Sequence, residues 1–271
     1  MKYTVSVYNR IKNKYIKRKI CNLNKFLLKQ NEKVSYTYKN LITNDIISFN
    51  YEICFYSASS IKFLVCLYIY IKAEKKPNIL EEKLTFADED FKQGSGTLKK
   101  NKNIKEYTIR DLIYYVLKES DNSAYIKLVN YVTKEKLIEY GKSLGAFHTL
   151  EGKDLFGITN SSDMTIYLEA LYKYLNTNTK LSNELKKVMQ DPSYKIINQN
   201  SIDNNLFVRK YGSFGIAFHE VGIVYDKTPY ILIILTQKNE LKDSKKVKYI
   251  NKVAYKINKI HKLIRKEETK W

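Results

Sequence analysis

The chain has 271 residues, 44% of them apolar, and a formal net charge of +20. That length accommodates one large domain or two closely joined lobes, and three prolines with nine glycines leave little room for a disordered linker. The charge fits a lysine-rich surface; its functional readings are attraction to nucleic acid, an anionic membrane face or an anionic cell-wall polymer. No zinc-finger or RNA-recognition signature accompanies it, so nucleic acid is not an expected partner.

The basic N-terminal stretch, residues 1–19, has no continuous apolar core followed by small residues and does not read as a secretory signal. The expectation is a cytoplasmic product or the mature part of an exported one. A first helix is expected at about Ile20 to Gln30. Two β-rich runs follow, Val34 to Tyr38 and Asp45 to Phe49, joined as a hairpin by Thr43-Asn44-Asp45. The run Ile61 to Ile71 is apolar nearly all round and ends on the charged Lys72 to Lys76, which favours a buried helix over the rival reading as a strand. Phe63 to Ile71, the longest apolar run, falls far short of the roughly 20 residues that span a bilayer.

Residues 77–200 carry helical patterns at Ile109 to Leu117, Ser123 to Val132, Lys134 to Leu144 and Ser162 to Leu175. From Asn205 the texture changes to three antiparallel strands: one around Leu206 to Val208, then Ile216 to Tyr225, then Tyr230 to Thr236 beyond a turn at Asp226 to Pro229. The chain ends on a helix with Val247, Ile250, Val253, Ala254, Ile257 and Ile260 on one stripe. The expected fold is α/β (α+β): an antiparallel sheet flanked by N- and C-terminal helices, with an all-α lobe inserted. The chain reads as a single unit over residues 1–271, its α/β lobe at about 20–75 plus 201–271 and its all-α lobe at about 76–200, with a cleft between the lobes as the default site.

Cys21, Cys54 and Cys66 have no paired spacing, so neither a disulfide framework nor a zinc site is suggested, and all three are expected as buried small apolar residues. His148, His219 and His261 do not cluster and are expected to be structural, and the 24 tyrosines are read as core packing. No metal or cofactor is expected.

Three motifs carry chemistry. Ser59-Ser60-Ile61-Lys62 lies where a loop enters the buried helix. Residues three apart share a helix face, and burial with a helix N-terminus favours a neutral Lys62 able to accept the Ser59 proton. The Ser59 backbone N–H at the helix start is available to an oxyanion. Ser120-Asp121-Asn122 forms a polar corner between two helical patterns, a place equally suited to a helix N-cap. Lys210-Tyr211-Gly212, followed by Ser213, lies on the first late strand, where a lysine can hold a carboxylate and a glycine lets a ligand approach the backbone.

In this order and context the motifs resemble those of class A β-lactamases and the related penicillin-recognising serine enzymes. Phe55 to Phe63, Glu119 to Ala124 and Lys210 to Gly212 match the three family motifs, Tyr107 to Leu112 and His219 to Tyr225 add flanking likeness, and the resemblance runs from about residue 32 to the C-terminus. It implies that Ser59 is the nucleophile, Lys62 its general base and Ser120 the proton shuttle to the leaving nitrogen. It also implies that Asn122 holds the substrate amide, that Lys210 holds its carboxylate, and that the N–H groups of Ser59 and Ser213 form the oxyanion hole. The implied partner is a small β-lactam or a D-alanyl peptide, and a monomer is expected.

Two departures bear on function. The region Thr149 to Asn160 lacks the Glu-x-x-Leu-Asn motif whose glutamate activates the deacylating water in class A enzymes, leaving Glu151 and Asp154 as the nearby carboxylates. Tyr211 stands where the family has Ser or Thr beside the substrate carboxylate. Acylation on Ser59 with slow deacylation is therefore expected; a D-Ala-D-Ala carboxypeptidase or esterase, and a degenerate relative acting as a binding module, are the alternatives.

Overall fold

The computed structural model describes residues 11, 13–29, 33–237 and 242–268; the N-terminal residues 1–10 lie outside them, as does Gln30. In chain order the elements are α1 (Lys14–Leu28), β1 (Lys33–Asn40), β2 (Ile46–Phe49), β3 (Phe55–Tyr56), α2 (Phe63–Ala73), β4 (Lys83–Thr85), β5 (Glu106–Thr108), α3 (Ile109–Lys118), α4 (Asn122–Val132), α5 (Lys134–Leu144), β6 (Ile158–Thr159), α6 (Ser161–Leu175), α7 (Lys180–Gln190), β7 (Phe207–Phe214), β8 (Ala217–Val224), β9 (Tyr230–Gln237) and α8 (Asp243–Glu268).

The main sheet is antiparallel with strand order β2-β1-β9-β8-β7. The first strand of the chain thus pairs with the last, from Lys33 opposite Gln237 to Asn40 opposite Tyr230, and both ends of the chain close one lobe. Between β1 and β2 the Asn40 side chain accepts the N–H groups of Ile42 and Thr43, and Asn44 turns with φ 60°. β8 and β9 are buried along almost their whole length, because helices cover both faces of the sheet. On one face, α1 and α8 pack Ile16, Ile20, Leu23 and Leu27 together with Ile250, Val253 and Ile257 against the sheet. On the other, α2 forms the centre of a second core lined by α3, α4, α6 and α7.

The structure adjusts the expectations in four places. Helix α1 starts at Lys14 rather than Ile20, because Asn13 caps it by accepting the N–H groups of Tyr15 and Ile16, and Ile16 extends the buried stripe by one turn. Helix α7, capped by Thr179 and burying Leu185 and Met189, adds to the helical region an element beyond the four expected there. That region also holds the two-stranded pair β4–β5, and its β6 pairs with β3 before α2, with two or three residues in each strand, too short for a periodic signal. Of the cysteines only Cys66 is buried: Cys21 follows Ile20 on the outward side of α1, and Cys54 is half-buried.

Candidate active site

The Ser-x-x-Lys segment folds more tightly than an α-helix. After β3 the backbone enters the left-handed region at Ala58, with φ 47°, and Ala58–Lys62 forms a 3-10 helix that leads into α2. The Ser60 hydroxyl ties this turn by donating to the Ser57 carbonyl at 2.6 Å. Residues i and i+3 eclipse in a 3-10 turn, so Lys62 lies directly along the axis from Ser59. Both side chains are almost wholly enclosed: Ser59 is 5% exposed and Lys62 0%.

Lys62 does not hydrogen-bond Ser59 among the described residues. Its ammonium donates to the Ser120 carbonyl, to the Asn122 side-chain oxygen at 2.7 Å and, at 3.5 Å, to the Ser120 hydroxyl. Ser120 sits between α3 and α4 with φ 59°, a conformation that aims its carbonyl and hydroxyl at the cleft. Asp121 caps α4 through the Ala124 N–H and also accepts the Leu98 N–H. The segment Gln93-Gly94-Ser95-Gly96, not singled out in the sequence, packs over this corner. Asn122 donates to the Gln93 carbonyl at 2.9 Å, and the Ser95 carbonyl accepts the Asn122 N–H at 3.0 Å. A Cβ on Gly96 would fall 2.0 Å from the Asp121 carboxylate, which explains glycine there.

From the edge strand β7, Lys210 donates to the Ser120 hydroxyl at 2.8 Å and to the carbonyl of Tyr211. Burial drives Lys62 well below the ordinary lysine value, and the neighbouring Lys210 charge pushes it further in the same direction. Burial also takes Lys210 down to about 7. Two amines enclosed around one hydroxyl disfavour a second positive charge there, and a neutral amine is the state a general base needs.

Gly212 lies directly against the Ser59 turn: a Cβ there would meet the Ser60 nitrogen at 2.6 Å and the Ser57 carbonyl at 3.1 Å. Tyr211 is half-buried, its ring 4.8 Å from Tyr194 and 4.2 Å from the Lys210 ammonium. Burial pushes its phenol up, against an opposing effect of hydrogen bonding with the Ser120 and Ser95 hydroxyls. Ser213 follows on the same edge, opposite Phe218, with an exposed side chain. The neighbouring Arg209 faces away from the cleft, toward the α1 and α8 side of the sheet, where it meets Glu220 and the Ile197 carbonyl. Of the eight expected residues, Ser59, Lys62, Ser120, Asn122, Lys210, Tyr211 and Gly212 are thus joined around one turn, and Ser213 extends the strand.

The loop between α5 and α6 brings no carboxylate to Lys62. Asp154 accepts the N–H groups of Phe156 and Gly157, and Glu151 is exposed, 3.9 Å from His148. Aromatic rings stand there instead: Tyr125 and Phe156 each lie 5.5 Å from the Lys62 ammonium, and the Tyr125 hydroxyl holds the loop by donating to the Leu155 carbonyl. Tyr56 continues this wall to Phe156 and to the exposed Phe214. His219 has a structural place, joining the Tyr56 carbonyl on one ring nitrogen and accepting the Thr236 N–H on the other; burial holds it down at about 4.

Residues 16–260 match the family model described as "Beta-lactamase enzyme family". No curated protein matches the sequence. Among solved structures, PBP-A superposes with a TM-score of 0.81 at 15% identity, over 90% of this chain and 96% of its own. A PBP-A variant described as an acyl-enzyme complex with penicillin G is equally similar, at 0.81 and 15% identity over 91% of this chain and 97% of its own. The extended-spectrum β-lactamase TLA-1, in a variant form, gives 0.79 at 15% identity over 91% and 99% of the two chains, and a β-lactamase from Desulfarculus baarsii 0.76 at 14% over 90% and 96%. At such identities the structures establish the shared fold, whereas the match across nine-tenths of the chain is one of sequence, and by it the protein belongs to the β-lactamase enzyme family.

Proposed function

We propose that the protein is a serine hydrolase that is acylated on Ser59 by β-lactams or D-alanyl peptide-like substrates and releases the acyl group slowly. The observation that carries this reading is the enclosed Lys62 amine, one 3-10 turn beyond Ser59, with its proton affinity lowered by burial and by Lys210. Neutral Lys62 takes the Ser59 proton as the Ser59 oxygen attacks the carbonyl carbon. The N–H groups of Ser59 and Ser213 receive the oxyanion. The proton then passes through the Ser120 hydroxyl to the leaving nitrogen as the C–N bond breaks, leaving an ester on Ser59. Asn122 has a second amide proton beyond the one given to Gln93, and this holds the substrate carbonyl.

Slow release follows from the loop. Hydrolysis of the ester needs a base that activates water, worth about 10²–10⁴ in rate. Beside Lys62 the loop presents the Phe156 ring, next to that of Tyr125, and no carboxylate. The same feature favours, as a second reading, a carboxypeptidase or esterase acting on a D-alanyl substrate with a modest turnover.

The test is intact-mass spectrometry of the protein mixed with a penicillin and with a chromogenic cephalosporin, following adduct and product together. A persistent adduct, lost in Ser59→Ala and Lys62→Ala, is expected. Labelling that survives Ser59→Ala would remove Ser59 as the nucleophile, rapid turnover would overturn slow release, and no adduct with either lactam would turn attention to other acyl donors or to a binding role.

A further inference from the structure

On the face of the sheet opposite Ser59, α1 and α8 enclose a groove of about 670 Å³. Its floor is Ile260 and Leu263; its walls carry Lys19 from α1 and Lys252, Lys256, Lys259 and Lys262 from α8. None of these five lysines forms an ion pair among the described residues, although acidic partners are available to Arg265 and Lys246 on the same helix. The positive charge of these five, unlike that of Lys118 or Lys127 elsewhere on the surface, has no acidic counterpart among the described residues. The α8 lysines recur three or four residues apart, which spaces successive side chains by about 5–6 Å along the helix.

We infer that this groove binds a linear polyol-phosphate polymer, of the kind in which phosphodiesters recur along a flexible chain without bases. Regularly spaced ammonium groups lining a concavity track a row of phosphates, each neutralising one charge and releasing a counterion. A flat membrane surface does not complement a concave groove. Single-stranded nucleic acid requires aromatic faces for its bases, and the two exposed rings of the groove are already covered by cations: Lys19 lies 5.0 Å and Arg18 5.6 Å from the Tyr15 ring centroid, and Lys259 lies 4.6 Å from that of Tyr255. The surface is separate from the Ser59 cleft, so it tethers the protein to a polymer without obstructing acylation.

The experiment measures binding of the full chain to fluorescently labelled poly(glycerol phosphate) by anisotropy. One variant carries Lys252→Gln, Lys256→Gln, Lys259→Gln and Lys262→Gln. A control loses the same charge from a second lysine-bearing groove, through Lys72→Gln, Lys75→Gln, Lys76→Gln and Lys136→Gln. Circular dichroism verifies that both are folded. With about five phosphate contacts, wild-type affinity is expected to fall roughly a hundredfold between 50 and 200 mM salt. The groove variant is expected to lose more than about tenfold at low salt and the control less than about threefold. Equal losses in the two variants, or no binding by the wild type, would overturn the groove as a site. Tighter binding of single-stranded DNA of equal charge, or of phosphatidylglycerol vesicles with none of the polymer, would overturn the ligand.

Discussion

Lys62 and Lys210 share one hydroxyl: Ser120 Oγ lies 3.5 Å from the first amine and 2.8 Å from the second. Lys62 is lowered first by burial and then by the Lys210 charge. A base must be neutral, so Ser59 acylation falls as pH drops through the depressed Lys62 value, and the acid limb lies far below that of a free lysine. Lys210→Met removes the repulsion, raises the proton affinity of Lys62 and moves that limb to higher pH. The pH dependence of penicillin adduct formation measures this; a limb unmoved by the substitution would mean that the two amines are not coupled.

Lys210 also links stability to pH. Its folded value of about 7 lies below the unfolded value near 10.4, so between these the folded state binds fewer protons than the unfolded chain and stability rises with pH. Lys210→Met is expected to flatten the gain in melting temperature between pH 7 and pH 9. Glu220, raised by burial to about 7, loses its contribution as pH climbs from its unfolded value towards 7, outside that window. An identical pH 7 to 9 gain in wild type and variant would refute the assignment.

Phe156→Glu places a carboxylate on the loop that faces Lys62. The Ser59 adduct of penicillin is expected to decay at least about a hundredfold faster, the lower end of what a positioned base supplies. Phe156→Ala opens the same space without a base and is expected to leave decay within about threefold of wild type. Equal acceleration by both would show that the ring acts by excluding water alone.

Tyr211→Thr replaces the phenol under which Lys210 lies by a small hydroxyl on the same strand. A recovered hydrogen bond to a substrate carboxylate is worth about 1.5–3 kcal/mol, so penicillin acylation is expected to accelerate by about tenfold or more. Single-turnover mass spectrometry reads the rate, and no gain would acquit the tyrosine as an obstacle.

Gly212→Ala forces a methyl group against the Ser60 nitrogen and the Ser57 carbonyl. Overpacking at backbone costs about 1–3 kcal/mol and displaces the Ser59 turn, so the melting temperature and the acylation rate should fall together. Thermal denaturation of Gly222→Ala, where the added Cβ meets the Val208 carbonyl and not the Ser59 turn, provides the comparison in which stability falls without a clash against Ser60.

Sequence alone determined the long regular elements other than α7, because their signals are local. The β-branched apolar run from Tyr230 to Thr236, the apolar run after Ile61 and the stripe from Val247 to Ile260 each need only their own residues to be read, and the three short motifs supplied the candidate site residues by type and order. Tertiary structure decided what depends on residues distant in the chain. It made Ser59 to Lys62 a 3-10 turn that lies directly against the edge strand at Gly212. It turned the Lys62 amine toward Ser120 and Asn122, not toward Ser59, because Lys210 and the Gly94 loop complete that corner. It set aromatic rings, not Glu151 or Asp154, beside that amine, since Asp154 is consumed by its own loop's N–H groups and the Tyr125 hydroxyl anchors the loop. Helix and strand follow from periodicity within a segment, whereas burial, proton affinity and the company a side chain keeps are set by whatever the rest of the chain packs around it.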